Sequence, residues 1–102
     1  MSPVNIGVIL DDTHHRLGCC LVRDRQILVF PSAIPNGWTV KSMCLTVAHE
    51  MTHQTLADAG EDYRSETFAR YAEKAIYGWL YGQSEYEVLL EQIRQHNQGA
   101  LK

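Results

Sequence analysis

The chain has 102 residues, of which 45% are hydrophobic and 21% charged, a composition typical of one soluble globular domain. We expect residues 1–102 to form a single domain, because the length leaves no room for a second core. A formal charge of -3 without a run of Lys or Arg argues against nucleic-acid binding. No segment approaches the roughly 20 apolar residues that cross a bilayer, and no secretory signal is recognisable, so a cytoplasmic protein is expected.

Three short apolar segments in the first third of the chain predict β-strands. They are residues 4–10, 17–23 and 26–30, and polar residues separate them. Only Asp24 and Arg25 lie between the second and third segments. This spacing predicts that these two segments form a hairpin.

The segment that follows changes to helical periodicity. Apolar side chains recur from Val40 to Leu56, and no Gly or Pro interrupts the segment before Gly60, which predicts one long helix that ends there. Residues 61–81 carry apolar residues three and four positions apart, which predicts a second, amphipathic helix that ends near Gly82.

A third helix is predicted near the end of the chain. Ser84 followed three residues later by Glu87 is the pattern of a capping box, so the helix is expected to begin at Ser84 and to run to about His96. Three strands followed by three helices favour an α+β domain with a small antiparallel or mixed sheet.

Residues 49–53 read His-Glu-Met-Thr-His and lie within the predicted long helix. Residues four apart in a helix are separated by about 40° around the axis and one turn along it, so His49 and His53 can bind one metal ion. Glu50 projects about 100° away and can reach a water molecule on that metal, where it would act as a general base. The spacing therefore predicts a hydrolytic zinc site; the alternative is a pair of solvated surface histidines.

Hydrolytic zinc sites use three protein ligands and leave a fourth position to water. Glu66 is the favoured third ligand because the small residues Ala69 and Ala72 lie on its side of the second helix and let two helices approach closely. The other interpretation of Glu66 is an exposed carboxylate paired with Arg70. The alternative ligands are nearby acidic residues and two earlier histidines, namely Asp58, Glu61, Asp62, His14 and His15.

His-Glu-Met-Thr-His followed by the pattern E-x-x-A-R-Y at residues 66–71 resembles the gluzincin zinc peptidases, and in particular the short minigluzincins. Many minigluzincins are phage or bacterial proteins. The resemblance covers residues 45–72, while the strands before and the helix after resemble the family only in order.

The resemblance implies His49, His53 and Glu66 as zinc ligands. It also implies Glu50 as the general base. In this family an extended peptide adds as a strand to the sheet, and the strand that would accept it here is the last one before the active helix, residues 26–30.

The sequence thus predicts a zinc-dependent metallopeptidase that cleaves a peptide or protein. Candidates for the group that stabilises the oxyanion are Tyr63, Tyr71 and His14, and none is singled out. This gap and the small size favour the alternative, a zinc-stabilised interaction module without peptidase activity. Glu50 favours the enzyme, because metal binding alone does not require it.

Overall fold

The computed structural model describes residues 3–10, 16–35 and 39–100. A mixed three-stranded sheet precedes three helices, which confirms the predicted α+β fold. The elements are β1 (Asn5–Val8), β2 (Gly18–Leu21), β3 (Gln26–Val29), a 3-10 helix (Pro31–Ala33), α1 (Val40–Asp58), α2 (Glu66–Tyr81) and α3 (Gln83–Ala100). Within these ranges no helix is long and apolar enough to cross a membrane.

The strands lie in the order β1-β3-β2, so β3 occupies the centre of the sheet. It pairs in parallel with β1 and antiparallel with β2. The predicted hairpin between β2 and β3 is therefore confirmed. Its turn places Arg25 at a φ of 50°, a left-handed conformation that closes the turn.

The central position of β3 corrects one expectation. Residues 26–30 cannot accept an added peptide strand, because β1 and β2 already use the backbone groups on both sides of β3. Ile27 and Val29 are fully buried, as central-strand residues usually are. Within the described sheet, the strands with a free edge are β1 and β2.

Helix α1 begins and ends as local sequence signals predict. Thr39 and Ser42 form a reciprocal capping box, in which each side chain accepts a hydrogen bond from the other residue's backbone amide. After the last helical residue, Gly60 adopts a φ of +74°, a conformation that glycine takes at little cost. The predicted end at Gly60 is confirmed.

Helix α2 begins later than predicted. Residues 61–65 form a turn instead of helix, and Ser65 caps α2 by accepting a hydrogen bond from a backbone amide of its first turn. The side chain of Asp62 also accepts a hydrogen bond from the backbone amide of Arg64. Such local side-chain bonds to the backbone compete with helix formation, which explains the shift.

Helix α3 follows α2 after a single residue, Gly82, whose φ is 101°. The Gly82 carbonyl accepts the backbone hydrogen bond of Tyr86, so the helix begins at Gln83. The predicted capping box at Ser84 is therefore wrong, because Ser84 already lies inside the first turn. The helix also extends to Ala100, beyond the predicted end near His96.

The helices enclose a core that underlies the predicted site. Ala69 of α2 is fully buried where α2 packs against α1, as its small size predicted. The principal buried cluster draws on all three helices and the segment before them, and consists of Ile34, Leu45, Tyr77, Tyr86 and Ile93. This packing fixes α1 and α2 side by side.

Candidate metal centre

Helix α1 presents His49 and His53 on one face, one turn apart, with ring centroids separated by 5.2 Å. Ligand-type atoms of His49, Glu50 and His53 all lie within 4.8 Å of one another. A group of this composition and spacing could hold a metal ion, as the spacing of the three residues predicts.

Glu66, the first residue of α2, faces the two histidines. Its carboxylate oxygens lie 3.0 Å from Nε2 of His49 and 3.1 Å from Nε2 of His53. Among the described residues it forms no ion pair with Arg70. Helix α2 packs against α1, and this packing brings the carboxylate within this range.

The second ring nitrogen of each histidine has its own acceptor. Nδ1 of His53 donates to the backbone carbonyl of Tyr63 at 2.6 Å, and Nδ1 of His49 donates to the Glu73 carboxylate at 2.5 Å. With the protons on Nδ1, both Nε2 lone pairs point towards the Glu66 carboxylate. A proton on each Nε2, or one metal ion between them, can bridge the two histidines to this carboxylate. The donor set therefore fits a metal ion.

Sequence reasoning missed Glu73. This residue is 5% exposed and accepts a second hydrogen bond, at 2.7 Å, from the Tyr86 hydroxyl of α3. Hydrogen-bonded carboxylates of this kind commonly orient metal-ligating histidines. A signal was available, because Glu66, Ala69 and Glu73 follow one another at spacings of three and four and so share one face of α2.

Burial and nearby charges shift the pKa values of two residues in the cluster. Burial raises the pKa of Glu50, and Glu66 adds to that effect, while the two histidines oppose it. Burial alone would lower the pKa of His49, but the hydrogen bond and charge of Glu73, with the other two carboxylates, raise it overall. Glu50 is thus a buried carboxylate with an increased affinity for a proton, which suits a general base.

A cleft crosses the cluster beside β2. Its larger part, of about 520 Å³, contains the apolar side chains of Leu17, Tyr86 and Leu90 together with His49. Its smaller part, of about 300 Å³, extends to Val22, Tyr63 and Arg64. The two parts meet at shared lining residues, namely Arg16, Gly18, Glu50 and Glu66.

Gly18 lets β2 lie directly against α1 at this point. A Cβ atom at Gly18 would lie 2.6 Å from the Leu28 carbonyl oxygen, 2.9 Å from a methyl group of Thr46 and 3.5 Å from Cγ of Glu50. Any larger residue would push β2 away from β3, to which Leu28 belongs, and from α1. Gly18, at the start of β2, is therefore held next to Glu50.

The alternative ligands lie elsewhere in the described part of the chain. Asp58 pairs with Arg25 at 2.7 Å and also accepts a hydrogen bond from Gln54. Asp62 caps the turn before α2, and Glu61 does not line the cleft. His14 and His15 lie outside the described residues.

Of the candidates for oxyanion stabilisation that the structure describes, one lines the cleft and one does not. Tyr63 lines the smaller part of the cleft. Tyr71 is 72% exposed and does not line the cleft. His14 lies outside the described residues. Sequence reasoning also missed Arg16, which lines both parts of the cleft and acts electrostatically on Glu50.

Comparison of the chain with protein families, with curated proteins and with solved structures finds no match in any of the three. A function is therefore proposed below from the geometry of the cluster and the cleft.

Proposed function

We propose that this protein is a zinc-dependent peptidase that hydrolyses peptide bonds. The observation that carries the proposal is the position of the Glu66 carboxylate 3.0 and 3.1 Å from the Nε2 atoms of His49 and His53. Glu50 lies beside this group, within a cleft along an edge strand. The resemblance of residues 45–72 to the gluzincins supports the same activity.

The donor set favours zinc with Glu66 as the third ligand. Two imidazoles and one carboxylate form one of the common ligand sets of catalytic zinc sites, in which water takes the fourth position. Glu66 lies within 3.0 and 3.1 Å of the two Nε2 atoms, so we assign it, and not Glu50, as the third ligand. This choice leaves Glu50 for proton transfer.

A zinc ion held by His49, His53 and Glu66 would acidify a water molecule and polarise a carbonyl group. Glu50 accepts the proton of the attacking water and delivers it to the leaving amine. Burial, which raises the pKa of Glu50, helps this carboxylate hold the proton between the two steps.

The substrate backbone pairs with the free edge of β2. Main-chain hydrogen bonds of this type hold an extended peptide without demanding a particular sequence. Gly18 lies close to Glu50, and Cys19 and Cys20 of β2 line the same cleft as Glu50 and His53, so a peptide added to β2 would lie near the cluster. We therefore propose that the peptide adds to β2 and not, as expected from the sequence, to β3.

The test compares the wild type with Glu50→Gln, which keeps the size of the side chain and removes the base. Zinc content and fold should survive, while cleavage of a peptide library should fall by roughly 100- to 10,000-fold. Glu61→Gln is the matched control, because it removes one exposed carboxylate outside the cleft. It should cleave like the wild type.

Failure of the zinc-loaded wild type to cleave any library peptide would refute the peptidase. If the same protein bound a partner equally well with and without the Glu50→Gln substitution, the interaction module would be the correct alternative.

A further inference from the structure

Three arginines line the cleft along its length. Arg16 contributes to both parts, Arg70 to the larger part and Arg64 to the smaller part. They are three of the nine basic residues of the chain. Across residues 3–10, 16–35 and 39–100, no ion pair or side-chain hydrogen bond involves these three guanidinium groups.

The carboxylates of the cleft do not satisfy these arginines. Glu66 faces His49 and His53, and Glu73 holds His49 and Tyr86. The third carboxylate, Glu50, is 6% exposed within the cluster and interacts electrostatically with Arg16 without forming an ion pair.

The lining of the cleft is less acidic than the chain as a whole. Its lining includes three arginines and three glutamates, so these charges balance, and a divalent cation makes the loaded cleft positive. The whole chain has a formal charge of -3. A positive cleft in an acidic protein attracts anionic ligands locally instead of binding polyanions over its whole surface.

We infer that the cleft selects acidic peptides, with Asp or Glu side chains on both sides of the scissile bond. The inference rests on the proposed peptidase, because the scissile bond would lie at the cluster, where the larger and smaller parts of the cleft meet. Arg70 would contact an acidic side chain in the larger part of the cleft, and Arg64 would contact one in the smaller part. Arg16 lines both parts. Guanidinium groups suit this role because they bind carboxylates through two parallel hydrogen bonds.

Binding is measured with fluorescent peptides and zinc-loaded Glu50→Gln protein, so that turnover does not deplete the ligand. Each acidic peptide is paired with one in which a single Asp or Glu on one side of the bond is replaced by Lys. We expect the acidic peptides to bind roughly tenfold more tightly at low salt, with a smaller difference at high salt. Cleavage of the same pairs by the wild type should show the same preference.

Charge reversal locates the contacts. Arg70→Glu should abolish or invert the preference on one side of the bond, and Arg64→Glu that on the other side. Arg23→Glu is the matched control: it makes the same change in net charge at an exposed residue that does not line the cleft. It should leave both preferences intact.

Equal binding of acidic and Lys-substituted peptides would overturn the inference. So would an effect of Arg23→Glu as large as that of the two cleft substitutions, because only net charge would then matter. A preference for acidic peptides in the binding assay without cleavage by the zinc-loaded wild type would refute the peptidase while supporting the charge selection.

Discussion

Replacing Glu73 with Gln tests whether the hydrogen bond to Nδ1 of His49 orients the metal site. In the native protein the two oxygens of Glu73 accept from different donors, Nδ1 of His49 at 2.5 Å and the hydroxyl of Tyr86 at 2.7 Å. A glutamine amide can accept from Nδ1 of His49 and donate to the Tyr86 oxygen, but it carries no charge, so the bond to His49 loses its charged acceptor.

The size of the effect follows from the loss of this charged acceptor at a buried site. Loss of such an outer hydrogen bond usually lowers metal affinity by about 10- to 100-fold. Each factor of ten corresponds to about 1.4 kcal/mol of binding free energy. Tyr86→Phe removes only the hydroxyl that donates to Glu73 and keeps the bond between Glu73 and His49. Its effect on zinc affinity should therefore be smaller than that of Glu73→Gln.

Zinc affinity is measured by competition with a chromophoric chelator. Glu87→Gln removes the same charge from an exposed position on α3 and should bind zinc like the wild type. Melting of the metal-free proteins separates a loss of folding from a loss of affinity. Wild-type affinity in Glu73→Gln, or equal weakening in Glu87→Gln, would refute the orienting role of this hydrogen bond.

Three further predictions concern the ligands, the metal and the edge strand. Glu66→Ala should weaken zinc binding strongly because only two imidazoles remain, whereas Glu61→Ala should not; the reverse pattern in the same titration would show that the third ligand is misassigned. Chelation should lower the melting temperature without unfolding the chain at room temperature, and a joint loss of near- and far-UV circular dichroism would instead make zinc primarily structural. Gly18→Ala, whose methyl would lie 2.6 Å from a backbone oxygen, should lose about 1–3 kcal/mol of unfolding free energy in urea. Gly7→Ala meets only side-chain atoms and should lose less, so equal losses would contradict the close packing of Gly18 between β3 and α1.

Local spacing accounts for the part of the site that the sequence predicts well. His49 and His53 are four residues apart, and any regular helix places such side chains together, whatever surrounds them. The long helix itself is bounded by signals within a few residues of its ends, Thr39 and Gly60. These features need no knowledge of the tertiary structure.

Features that depend on contacts between distant segments were harder to predict. The order of the strands depends on β1 pairing with β3, and nothing within residues 26–30 distinguishes a central strand from an edge strand next to a covering helix. Glu73 reads as an ordinary helical carboxylate until α1 and α3 supply His49 and Tyr86 as its donors. The turn before α2 was missed because the side chains of Asp62 and Ser65 bond to the backbone there.

The most direct test of the proposed metal centre is zinc content per chain after dialysis against a weak chelator. We predict about one zinc per chain in the wild type and in Glu50→Gln, and none in His49→Ala or His53→Ala. A wild-type protein without zinc, or a His53→Ala variant that retains it, would contradict the metal centre on which the proposed function depends.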